Sequence, residues 1–345
     1  MNNLKKIGLT ALAGSLVATS VMAVEMGVSG TAEVTYTTKG GEGNGISTDS
    51  GNPFGSNTSL SFSGEGDVGF GTAKIVRTIG DNMNDAATAS NEYLSAWQTV
   101  DMGDLGTFKF DSTGGAITGL RSNRDKLPTA YEEVWTGVSS HGILSAGSDN
   151  VLGYSNTYSG VTVDLAHARG NSAGGTGDGA TGSTSTGSAT DWYVTVDSGT
   201  MGVDGLILGL GHSDITSDLA EVADGNSLDS ATVLAHANYS TGPVSLGVRY
   251  VSTKASAAGA EEIVLEAAAI AYNINDALTV SYAEQDRMFD RSGGTVDVTE
   301  SSKAFNANYT VGAASVRATL AESSDAAGVA GNKDEHMEIS LVLSF

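Results

Sequence analysis

The chain concentrates mixed charge in one stretch. Between Thr113 and Asn150, the carboxylates of Asp125, Glu132 and Glu133 stand among the bases of Arg121, Arg124 and Lys126. Interleaved acids and bases can form ion pairs, draw ions or supply proton-transfer groups; in a plain surface loop they are simply solvated. Other residues that do chemistry are sparse or badly spaced. There is no cysteine, which excludes disulfide scaffolds, thiolate zinc sites, iron–sulfur clusters and cysteine nucleophiles. The five histidines are scattered, with no H-x-x-x-H or H-E-x-x-H pair, so no metal site is expected. Serine is abundant, yet no G-x-S-x-G elbow occurs. Ser140 and His141 are neighbours, but adjacent side chains of an extended chain point apart. Gly64 to Gly69 match G-x-G-x-x-G by letter. A strand pattern follows them, not a helix, so they read as a hairpin turn rather than a phosphate cradle. Neither catalysis nor a cofactor is expected.

Something must position those charges, and composition narrows what it can be. With 46 glycines and 3 prolines in 345 residues, glycine is about 13% against a usual ~7%. High glycine without proline or a G-X-Y period excludes collagen and Pro-rich disorder. Lys plus Arg number 17 against 40 Asp plus Glu, a net charge of −23. That acidity argues against nucleic acid as a partner, because phosphate binding needs a basic face. Residues 1–23 read as a secretory signal: Lys5 and Lys6, an apolar run from Ile7 to Val17, then Val21-Met22-Ala23 with cleavage after Ala23. Both leader lysines and none of the 40 acids precede that cut, so residues 24–345 carry −25. No later apolar run approaches the ~18 residues of a membrane helix.

The remaining chain has a period of two, not 3.6. Met337, Ile339, Leu341, Leu343 and Phe345 share one face, opposite His336, Glu338, Ser340 and Ser344. Similar alternation runs through Trp192–Val196, Thr232–Tyr239, Val244–Tyr250, Leu278–Ala283, Phe305–Val311 and Ser315–Leu320. Glu262–Ile274 alternates poorly and its alanine run has helical character; it is assigned as a strand. Short Gly-rich turns and long Gly/Ser/Asn/Asp loops alternate along the chain. Seven of the former and eight of the latter predict sixteen antiparallel strands with the long loops gathered at one end. This is the layout of an outer-membrane barrel, with short periplasmic turns and long outer loops. The polar faces carry full charges (Arg249, Arg317, Glu338), which would be costly in a dry core, so they are expected to line water. His212, His236 and His336 are candidates for the same lumen. The competing architecture is a secreted, soluble acidic β-sandwich or solenoid adhesin, which would turn its apolar faces inward.

Several stretches resemble the general porins of the Gram-negative outer membrane, the trimeric sixteen-stranded type. They are the first strand VEMGVSGTAEVTYT, the hairpin VDMGDLGTFKF (100–110), DNVLGYSNTYSGVTVDLAHARG (149–170) and the last strand ending in Phe345. The family's Pro-Glu-Phe-Gly-Gly loop motif is absent. The resemblance implies an all-β transmembrane barrel over 24–345, a homotrimer in contact with lipopolysaccharide, and Phe345 as a signal to the barrel assembly machinery. It also implies that the third long loop, 113–150, folds into the lumen and narrows it. Its acids Asp125, Glu132 and Glu133, with Arg121 and Arg124 beside them, would then face wall bases, for which Lys74, Arg77 and Lys109 are the candidates. Lys109, between Phe108 and Phe110, is expected to point inward. The function implied is passive diffusion of small hydrophilic solutes and ions, with the acidity favouring cations.

Overall fold

The computed structural model of the chain describes residues 25–43, 46, 51–82, 92–111, 127–134, 151–168, 188–215, 230–254, 262–291 and 296–345. The leader and its cleavage point at Ala23 lie outside these residues.

Among the described residues the alternating segments form sixteen strands. They are β1 (Glu25–Glu42), β2 (Phe54–Asp67), β3 (Thr72–Asn82), β4 (Glu92–Asp101), β5 (Thr107–Asp111), β6 (Val151–Tyr158), β7 (Val161–Ala168) and β8 (Ala189–Val196). The second half comprises β9 (Leu206–Ile215), β10 (Ser230–Thr241), β11 (Val244–Lys254), β12 (Glu262–Asn273), β13 (Leu278–Asp290), β14 (Val298–Val311), β15 (Ala314–Ser324) and β16 (Lys333–Ser344). Each pairs antiparallel with its sequence neighbours, and β1 pairs with β16 to close the barrel. Closure leaves no strand edge unpaired. At the joint, the Gly30 and Phe345 backbones exchange hydrogen bonds at 2.8 and 3.0 Å.

The tight connections follow from local chemistry. Between β6 and β7, Ser159 and Gly160 adopt φ of 49° and 76°. Two positive φ values in a two-residue loop match the right-handed twist of the flanking strands. Between β8 and β9 the short connection includes one helical turn, Ser198–Met201, capped by the Asp197 side chain accepting from the Thr200 N–H at 3.1 Å. The expected strand at 262–274 is present as β12: Ala267, Ala269 and Ala271 turn inward while Ile270 and Tyr272 face out.

Alternation sorts the two faces. Phe305, Tyr309, Leu320, Ile339 and Leu341 are exposed on the outside; Asn306, Thr319 and Ser340 are fully buried on the inside. The outward apolar stretch is short on β13–β15. Tyr282 gives way to Glu284, Phe305 to Lys303 and Leu320 to Glu322, with Lys303 and Glu322 paired at 2.6 Å. Six residues of tilted strand separate Leu278 from Glu284, about 15 Å of barrel height, so the apolar band ends there.

Two expectations about the inner face need correction. Of the three candidate lumenal histidines, His236 and His336 point inward, but His212 points outward beside Trp192, ring centroids 6.0 Å apart. It shares parity with Leu206, Leu208 and Leu210, and a strand cannot turn one of that set to the other side. Nor is the inner wall uniformly polar. Leu234, Val251, Leu265 and the inward alanines of β12–β15 form an apolar cluster with Leu127 and Val134 of the third long loop.

Candidate functional site

That cluster is where the loop enters. Residues Leu127–Val134 form a tongue laid along the inner wall, from β11 towards β16 and back. Its base is closed by one carboxylate: Glu133 Oε1 accepts from the Leu127 N–H at 2.8 Å. The same carboxylate takes two bonds from the Arg249 guanidinium on β11, at 3.1 and 2.6 Å. Only 4% of the Arg249 side chain and 10% of the Glu133 side chain are exposed. Such a desolvated fork is costly to break from either side. Beside it, Gly247 leaves room for the loop; a Cβ there would lie 2.4 Å from Pro128 Cδ and 3.1 Å from Leu127 Cδ2.

Further out, the Ala130 N–H donates to Ser281 Oγ on β13 at 2.8 Å. Asn306 on β14 clamps the Glu132 backbone from both sides, accepting its N–H at 3.2 Å and donating to its carbonyl at 2.8 Å. Tyr131 is the tip. Its hydroxyl donates to Glu338 Oε1 on β16 at 2.5 Å, and the Arg317 guanidinium of β15 lies 5.4 Å from its ring centroid. Burial pushes the Tyr131 hydroxyl well above the ordinary tyrosine value, helped by its bond to Glu338 and by the nearby charges of Glu338, Glu33 and Glu132. It therefore stays a neutral donor.

Around this tip the wall is acidic. Glu338 also accepts from Thr37 Oγ1 of β1 at 3.0 Å, and Glu33 of β1 accepts from Ser340 Oγ of β16. Both carboxylates are half-buried.

The candidate residues named from sequence fall into three groups. Arg121, Arg124 and Asp125 lie outside the described residues. Glu132 and Glu133 are on the tongue, but Glu133 is bound in a contact ion pair with Arg249 rather than facing a base across open space. Of the wall bases, Lys74 and Lys109 point inward and Arg77 does not. Lys74 pairs with Glu65 at 3.1 Å near the short-turn end. Lys109 is buried, its Nζ 4.5 Å from the Trp97 ring centroid. Arg77 is a correction: its register partner is Phe62, and it shares the outward face of Ile75 and Ile79. The odd spacing of Lys74 and Arg77 on one strand already forbids a common face. Lys109 on β5 stands across the sixteen-strand ring from the wall that holds the tongue, whereas Lys74 on β3 is only three strands from β16.

Residues absent from that set do much of the work. Arg249, Ser281, Asn306 and Glu338 anchor the tongue, and Glu33 completes the acidic tip. Their inward parity was readable from alternation; their pairing with a loop more than a hundred residues away was not.

A family model described as Gram-negative porin matches residues 8–344. The fold is also similar to solved porin-type structures. One is the Salmonella typhi OmpF complex with daunomycin, with TM-score 0.70 and 14% identity over 93% of this chain and 97% of that one. Another is an anion-selective porin from Comamonas acidovorans, TM-score 0.63, 14% identity, covering 94% of this chain and all of that one. A third is OmpT of Vibrio cholerae in trimer form, TM-score 0.64, again 14% identity over 94% of this chain and 100% of that one. A comparison with curated proteins finds no match. Sixteen closed strands, a charged interior and an apolar exterior set aside the soluble sandwich or solenoid. Family and fold point to a channel rather than an enzyme. The chain belongs to the Gram-negative porin family: it is a multi-pass β-barrel of the outer membrane that forms a channel.

Proposed function

We propose that this channel passes small hydrophilic solutes and ions by passive diffusion, without catalysis or cofactor, and favours cations. The observation that carries the preference is the placement of charge around the tongue. Glu133 is neutralised by Arg249, while Glu33, Glu132 and Glu338 gather at the tip. Lys109 on β5, on the far wall, supplies the opposite side of a transverse field. A solved structure of the same fold is described as an anion-selective porin, so the fold does not set the sign; wall residues do.

Reconstitution in planar bilayers tests both parts. Pure protein should give discrete conductance steps, and a potassium chloride gradient should give a reversal potential of cation-selective sign. Absence of steps would overturn the channel, and the opposite sign would overturn the preference.

The same reading extends to assembly. Residues 1–23 serve as the export signal, cut after Ala23, and 24–345 form one barrel domain with 113–150 as the constriction loop. Phe345 marks the last strand for the barrel assembly machinery. The barrels associate as a homotrimer, in keeping with a neighbour described in trimer form, with lipopolysaccharide around them. A trimer-sized band that converts to monomer on heating, from outer-membrane fractions, supports this; a monomer before heating contradicts it.

A further inference from the structure

We infer that the selectivity of this pore is set by two wall carboxylates, Glu33 on β1 and Glu338 on β16, rather than by the constriction-loop acid Glu133. The inference deepens the cation preference proposed above and rests on it.

Two observations carry it. First, the loop acid Glu133 is not available: it is almost fully buried and holds two bonds from Arg249 and one from the Leu127 N–H. Its field is cancelled at contact distance. Second, Glu33 and Glu338 sit on adjacent strands of the closing joint, half-exposed, where the tongue ends. Thr37, Ser340 and Tyr131 donate to them, which fixes their position.

Two carboxylates are fewer donors than a chelating cage needs. No group of three metal-ligating side chains converges among the described residues. The set therefore suits a hydrated monovalent cation in transit, not a resident divalent ion. A positive group beside it is Arg317, whose guanidinium lies over the Tyr131 ring. Arg317 should oppose the two acids and limit the preference.

The test is the potassium-to-chloride permeability ratio from reversal potentials. A unit charge about 7 Å from a permeating ion, screened over about 8 Å in water, biases cation over anion about two-fold. Glu33→Gln and Glu338→Gln should each lower the ratio about two-fold, and together about four-fold. Arg317→Gln should raise it about two-fold. Glutamine can still accept the Tyr131 and Ser340 hydrogen bonds, so folding is expected to survive, and heat-modifiable migration confirms it for each variant. A wild-type channel without cation preference overturns the underlying reading. A cation-selective wild type whose ratio is unmoved by the double glutamine variant overturns this inference alone. An unchanged ratio in Arg317→Gln also counts against it, and that variant leaves the joint's own hydrogen bonds intact.

Discussion

Replacing Arg249 with alanine should release the Leu127–Val134 tongue from the wall. The guanidinium gives Glu133 two bonds, at 3.1 and 2.6 Å, in a site where neither side chain is more than 10% exposed. Removing one partner of such a pair typically costs about 3–5 kcal/mol, because the other charge is left buried. The remaining polar anchors are three neutral hydrogen bonds to Ser281 and Asn306, worth about 1 kcal/mol each, and the Tyr131–Glu338 bond, worth about 2. The ion pair is thus the largest single polar anchor. Losing about 3 kcal/mol raises the undocked population about 100-fold. Single-channel recording should then show a new, larger conductance level with frequent transitions, and polymers excluded from the wild type should begin to enter. Replacing both partners together (Arg249→Met with Glu133→Leu) removes the stranded charge and should restore most of the wild-type trace. Unchanged conductance, noise and exclusion limit in folded Arg249→Ala would refute the idea that this pair holds the loop.

Other consequences can be checked alongside. Gly247→Val puts carbon atoms where Pro128 and Leu127 lie; the tongue should be displaced with the barrel intact, seen as enlarged conductance at unchanged heat-modifiability. Docking should weaken at high pH. Below the ordinary tyrosine value of about 10, docked and released Tyr131 are both neutral and pH has no effect. Above it the released phenol ionises while the docked one, held higher, does not, so docking loses up to tenfold per pH unit. Current noise should rise above that pH in the wild type and not in Tyr131→Phe. Deleting Phe345 removes both backbone bonds to Gly30 and should slow assembly, measured as a smaller heat-modifiable fraction over time. An equal rate would remove Phe345 from the assembly role.

Strand number, connection order and inward parity were legible because one face of each strand meets apolar surroundings and the other water; slipping by one residue exchanges the two. Spacing alone fixes parity at two further places. Lys74 and Arg77 are three residues apart and must face opposite ways, and His212 continues a leucine series. The docked loop was less accessible. Arg249 and Glu133 are separated by 116 residues, and nothing local distinguishes Arg249 from Arg317 as the base that grips the tongue. The apolar seat of the loop was also hidden. Leu234, Val251 and Leu265 break the polar inner pattern one at a time on three different strands. Only the folded ring gathers them into a surface.

Fifteen of the sixteen strand pairings join segments that follow one another along the chain; β1 with β16 joins its two ends. The carboxylates of Glu33 and Glu338 are held by Ser340 and Thr37, each from the opposite strand of that one joint. A barrel still open at this point lacks those two bonds, so on the selectivity proposed above it would leak without discriminating. On that proposal, discrimination between ions arrives in the same step that seals the cylinder, and a defective closure should be recognisable electrically before it is visible as unfolding.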